Sequence, residues 1–125
     1  MASAFSKLQA FRFATILSKP FEEWDAFKFG LIDEKGNFIK KPKTKEEKKS
    51  LDAFTNLIRK IKKLLIRYIP DNKLFQFMIA AYLLKTESND DFKNGLYIKI
   101  FEEINDTEEK MLYNVLDTAS KIDWS

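Results

Sequence analysis

One stretch of the sequence, residues 44–69, restricts the possible folds more than any other part of the chain. It reads TKEEKKSLDAFTNLIRKIKKLLIRYI. Thr44 precedes Glu47 by three residues, which is the spacing of a capping box at a helix N-terminus, and Pro70 would end the helix. Between these signals, apolar residues recur at steps of three and four and so share one helical face. These residues are Leu51, Phe54, Ile58, Ile61, Leu65 and Tyr68. We therefore predict one long helix from Thr44 to Ile69, buried along one face.

The rest of the chain also favours helices. Three glycines and three prolines supply few of the turns that an all-β fold needs, and 125 residues are enough for one domain with its own core. Helical patterns occur over residues 3–18, 20–29, 72–85, 96–104 and 106–122. We predict a mainly α fold, a compact helical bundle of about five to six helices in a single domain spanning residues 1–125.

One short segment predicts the only β element. In LIDEKGNFI, residues 31–39, two apolar pairs flank a turn in which Asp33 suits the first position and Gly36 supplies a positive φ. We predict a small β-hairpin there, followed by an extended, solvated connector over residues 40–43. Residues 96–101 fit both an alternating strand and a helix, and we favour the helix because a lone late strand would need the hairpin as its partner.

The composition argues against catalysis. The chain has no histidine, the commonest acid–base group near neutral pH, and no cysteine for thiol chemistry or thiolate zinc sites. Neighbouring acidic pairs such as Glu22 with Glu23 point about 100° apart on a helix and do not converge as catalytic carboxylates would. No segment approaches the roughly 20 apolar residues of a membrane span. We expect no enzymatic activity, no cofactor, no metal site and no membrane partner.

Charge is distributed unevenly along the chain. Between Lys40 and Arg67, eleven basic residues face three acidic ones, whereas after Thr86 ten acidic residues face four lysines. A basic middle segment can neutralise phosphates without sequence preference, or it can be an ordinary solubilising surface. The absence of a recognition-helix turn or zinc finger favours the second interpretation. The candidate polyanion- or partner-binding residues are Lys40, Lys41, Lys43, Arg59, Lys60, Lys62, Lys63 and Arg67.

A family resemblance goes further than these patterns. The segment GLIDEKGNFIKKPKTKEEKKSLDAFTNLIRKIKKLL, with PFEEWDAFKF before it and DNKLFQFMIAAYLLK after it, resembles small prohead-core or minor virion proteins of large tailed bacteriophages. The resemblance covers roughly Phe11 to Glu87. It departs from the pattern at IPDNK, where family members carry a glycine-rich turn. The resemblance implies a non-catalytic structural protein inside or at a vertex of the phage head, present in the virion and, during assembly, in the host cytoplasm.

Three hypotheses about function follow. The first is a virion-assembly protein that contacts capsid, portal or scaffold proteins and packaged DNA, and that can form homo-oligomers. The second is a small accessory or regulatory protein that binds nucleic acid through the basic residues 40–67. The third is a phage inhibitor of a host enzyme that uses the acidic C-terminal surface, which includes Glu102, Glu103, Glu108 and Glu109.

Overall fold

The computed structural model describes residues 4–78 and 91–122 of the chain. Seven helices follow one another in this part, and they confirm the predicted mainly α class. They are α1 (Ala4–Ser18), α2 (Asp25–Lys28), α3 (Lys45–Ser50), α4 (Ala53–Leu65), α5 (described over residues 74–78), α6 (Asp91–Glu103) and α7 (Asp106–Ala119). Short 3-10 turns, Phe21–Glu23 and Asp71–Lys73, precede α2 and α5. None of these helices combines the length and the apolar character needed to cross a bilayer.

The core lies where α1, α4 and α7 pack against one another. Each of the three helices buries a face built from residues three and four apart, such as Ala10, Phe13 and Leu17 of α1. Phe13 of α1 meets Phe54 of α4 edge to face, with 5.9 Å between ring centroids. The other buried side chains of this core include Leu17, Leu57, Ile58, Ile61, Leu65, Leu112, Val115 and Leu116.

The long helix predicted for residues 44–69 is two helices, α3 and α4. Its predicted start is confirmed, because Thr44 and Glu47 form the capping box. Leu51 then leaves the helical region (φ −128°, ψ 50°). Asp52 caps α4, and its carboxylate accepts a hydrogen bond from the Thr55 amide at 2.8 Å. The prediction of a single helix is wrong because Asp52 is a second capping signal within the apolar repeat, and a good N-cap residue favours a new helix start.

Acidification should weaken the start of α4. Burial raises the pKa of the Asp52 carboxyl, but hydrogen bonds from Thr55 and the charge of Arg12 outweigh it and hold the pKa below its usual value. The stabilisation is therefore complete above about pH 4 and is lost as the pH falls through the folded-state pKa. Thermal unfolding followed by circular dichroism from pH 7 to pH 2.5 measures this loss. Asp52→Asn keeps a capping oxygen without the charge and should lose less stability over the same range; an equal loss in both proteins would contradict the prediction.

Residues 31–39 double back on themselves but form no strand within the described residues. A single antiparallel bridge joins Ile32 to Phe38. The Asp33 carboxylate accepts hydrogen bonds from the backbone amides of Lys35 and Asn37, both at 2.9 Å. These two hydrogen bonds close a tight turn around the Asp33 side chain. Next to this turn, only the Ile32–Phe38 pair is bridged. The structure thus shows a bridged turn where the sequence predicted a hairpin.

The second half of the chain follows the sequence patterns more closely. Residues 96–101 lie within α6, as the favoured interpretation predicted. Asn105 caps α7 and forms a capping box with Glu108, although Asp106 and Glu109, one residue later, have the same spacing. Half of the helix predicted for residues 72–85 lies outside the described residues.

Candidate functional site

The structure divides the eight predicted basic residues into three groups. Lys40, Lys41 and Lys43 are exposed on the connector between the bridged turn and α3. Lys62 is buried in the core. The other four, Arg59, Lys60, Lys63 and Arg67, line one groove. Within the connector, Lys40 lies near Glu47, with 4.0 Å between its Nζ and the Glu47 carboxylate.

Lys62 does not belong to an exposed basic face, in contrast to the sequence-based prediction. Its side chain is only 1% exposed. The Nζ atom donates hydrogen bonds to the backbone carbonyl of Leu17 at 2.8 Å and to the Asp71 carboxylate at 2.6 Å. Position 62 lies four residues after Ile58 and three before Leu65, so it shares their buried face. Burial lowers the pKa of the Lys62 ammonium, and the ion pair with Asp71 opposes that shift.

Arg59 is the second buried cation of α4, with 6% of its surface exposed. Its Nε donates to the Asn56 side chain at 2.8 Å, and its Nη1 donates to the Gly36 carbonyl at 3.0 Å. The guanidinium carbon lies 3.9 Å from the centroid of the Phe38 ring. Burial lowers the pKa of Arg59, and the charge of Glu108 acts against this. Arg59 therefore fastens the bridged turn to α4.

The basic groove lies between α4 and α6, with a volume of about 440 Å³. We use this name for the space lined by Arg59, Lys60, Lys63, Leu64, Arg67 and Glu103. Four of these six side chains are cationic and one is acidic. Lys60, Lys63 and Arg67 follow at steps of three and four, so they project on the same side of the chain. The groove is thus suited to an anionic group.

Lys60 is the one groove lysine with an ion-pair partner among the described residues. Its Nζ lies 3.0 Å from the carboxylate of Glu108. Glu108 is itself buried and belongs to the capping box of α7. This ion pair joins α4 to the start of α7, so Lys60 serves the fold as well as the groove. Lys63 and Arg67 have no such ion pair among the described residues, so they are the stronger candidates for binding an anion.

A larger cavity of about 560 Å³ opens beside α1. The sequence did not predict this cavity, because the residues that line it come from segments that are distant in the chain. The charged residues around it balance one another, so it has no preference for an anion. They are Arg12, Lys19, Lys49, Glu23, Asp25 and Glu46.

Comparisons with known proteins add no family to this description. Nothing among models of protein families, curated proteins or solved structures matches the chain. In the described ranges, no three acidic residues gather closely enough to hold a metal ion. The basic groove is therefore the candidate site that the side chains themselves define.

Proposed function

We propose that this chain is a non-enzymatic structural protein of tailed-phage head assembly, acting through contacts with capsid, portal or scaffold proteins. The phage-head part of the proposal rests on the resemblance of residues 11–87 to prohead-core and minor virion proteins. One structural observation carries the proposal: the bridged turn is anchored to α4 by Arg59 and exposes two large apolar side chains to solvent. Those two residues are Phe38, 55% exposed, and Ile39, 63% exposed.

The fastening of the turn supports a role in recognition. Arg59 holds the Gly36 carbonyl and lies under the Phe38 ring, and Gly36 packs directly on the Phe21 ring. A turn held in this way loses little conformational entropy when a partner covers it, and two adjacent exposed apolar side chains offer apolar surface that a partner can bury. The partner expected here is therefore a virion protein with an apolar pocket.

Incorporation into phage particles tests this proposal. Quantitative mass spectrometry should find the chain in empty proheads, in filled heads or in both. Ile39→Asp should reduce its copy number at least about tenfold, because a charge would enter a desolvated contact, while the purified variant keeps its helical circular dichroism.

Leu8→Asp is the matched control, since Leu8 is equally exposed at 68% but lies on α1. The control variant should enter particles normally. Absence of the wild-type chain from both kinds of particle would refute the assembly role, and equal loss with the two variants would refute the role of the bridged turn in it.

The second candidate function is nucleic-acid binding by an accessory or regulatory protein. The basic groove favours it, because Lys63 and Arg67 could contact successive backbone phosphates in a salt-dependent way. The exposed lysines of the connector would add to the attraction at longer range.

A further inference from the structure

Arg59 has an unusual electrostatic position for a buried cation. Charged side chains that are this deeply buried are almost always paired with an opposite charge. The other buried cation of α4, Lys62, follows this rule through its ion pair with Asp71. Among the described residues, however, no carboxylate lies within 4.0 Å of the Arg59 guanidinium. The direct contacts of Arg59 are thus with neutral groups, and the charge of Glu108 acts on it only from a greater distance.

The hydrogen bonds of Arg59 leave part of its guanidinium unused. A guanidinium has five N–H donors. Two bonds are made, to the Asn56 side chain and to the Gly36 carbonyl, and the Phe38 ring covers one face. Within the described structure, Nη2 has no hydrogen-bond partner. Because Arg59 also lines the basic groove, a ligand in the groove would lie beside this incompletely bonded guanidinium.

The neighbours of Arg59 increase the positive potential of the groove. Lys63 and Arg67 lie four and eight residues further on and line the same space. Lys60 is largely neutralised by Glu108, and Glu103 is the one carboxylate that the described residues contribute to the groove lining. The three remaining cations therefore exceed the local negative charge. A doubly charged anion would satisfy this excess, and the planar fork of arginine suits the oxygens of phosphate.

We propose that the basic groove is a binding site for one phosphate group, with the Arg59 guanidinium at its base and Lys63 and Arg67 at its rim. The phosphate is either free in solution or part of a nucleic-acid backbone. This inference stands on the groove and does not depend on the assembly role. If the phosphate belongs to a nucleic acid, the site supplies the contact that the second candidate function needs.

Arginine side-chain NMR provides a direct test. The chain has three arginines, Arg12, Arg59 and Arg67, so three Nε–H signals are expected, and Arg12→Lys and Arg67→Lys assign them. Inorganic phosphate, or a short single-stranded DNA, is titrated at constant ionic strength. The Arg59 signal should shift and saturate, whereas the Arg12 signal should stay unchanged.

Charge reversal at the rim gives the quantitative measurement. Lys63→Glu should weaken binding about tenfold, as expected for the loss of one charge-assisted contact. Lys48→Glu is the matched control, since Lys48 is an exposed lysine in the last turn of α3 and does not line the groove; it should leave the affinity within about twofold. Arg67→Glu replaces Lys63→Glu if circular dichroism shows that the first variant is misfolded.

The outcomes decide between the sources of phosphate. Saturable binding of inorganic phosphate alone supports a free-phosphate site, and binding of DNA alone, with the same Arg59 shift, supports a backbone site. A static Arg59 signal with both probes would overturn the proposal. So would equal weakening by Lys63→Glu and Lys48→Glu, or equally tight binding of polyglutamate, which would mark a general attraction to negative charge.

Discussion

Asp71→Asn is expected to destabilise the protein by about 2–3 kcal/mol at pH 7, because it leaves the Lys62 ammonium buried without a counter-charge. This loss is smaller than the loss expected for a fully buried ion pair, because the Asp71 side chain is 39% exposed. Denaturant-induced unfolding measures the change. Lys121→Gln removes the exposed ion pair with Asp117 and should cost less than about 0.5 kcal/mol.

The pH dependence of this variant identifies the mechanism. Without Asp71, the folded-state pKa of Lys62 should fall further below its unfolded value near 10.5. Between the two pKa values the unfolded chain binds more protons, so the free energy of unfolding rises with pH. The deficit of Asp71→Asn should therefore shrink from pH 7 to pH 10, and adding Lys62→Met should recover most of it. A deficit that is small and constant with pH would show that Lys62 does not require its partner.

Gly36→Ala is expected to cost about 2–5 kcal/mol, for two separate reasons. Gly36 has a φ of +82°, where a Cβ atom is strained by about 1–2 kcal/mol. The new Cβ would also lie 2.4 Å from Cζ of Phe21, and relieving such a clash in a packed site costs about 1–3 kcal/mol. Phe21 is buried and stacks against Trp24, so the ring has little room to withdraw.

The other two glycines separate the two contributions to the Gly36 result. Gly30 has a φ of +74° but its nearest neighbour would be 4.0 Å from the new Cβ, so Gly30→Ala should cost only the backbone strain. Gly95 lies in α6 with open space around it, and Gly95→Ala should stabilise the protein by about 0.5–1 kcal/mol. Thermal unfolding of the three variants should give this order. If Gly36→Ala cost no more than Gly30→Ala, the packing of Phe21 on the turn would be disproved.

Local capping signals and apolar spacing predicted most of the helices. Where the structure differs from the prediction, two of these signals compete in the same segment. The capping box of Thr44 and Glu47 formed as predicted, because all its atoms lie within four residues. The break before α4 was missed because the apolar repeat runs unbroken across Asp52, although Asp52 itself carries a capping signal. At α7 two adjacent residues could cap the helix, and Asn105 does so.

The basic groove could be predicted only in part. The spacing of Lys60, Lys63 and Arg67 places them on one face, and that much is local. The burial of Arg59 and Lys62 depends on Gly36 and Leu17, which lie 23 and 45 residues away. Nothing in the spacing of α4 reveals these partners. The assignment to phage head assembly stays a prediction from the resemblance.

The packing of α1 on both α4 and α7 has a consequence for the order of events during synthesis. Helix α1 leaves the ribosome before α4 and α7, yet one of the faces that covers it belongs to α7, which is made much later. Until then, the part of its apolar surface that α7 buries stays open to water or to chaperones. Because contacts so distant in the chain close slowly, the core is completed only after translation has passed α7.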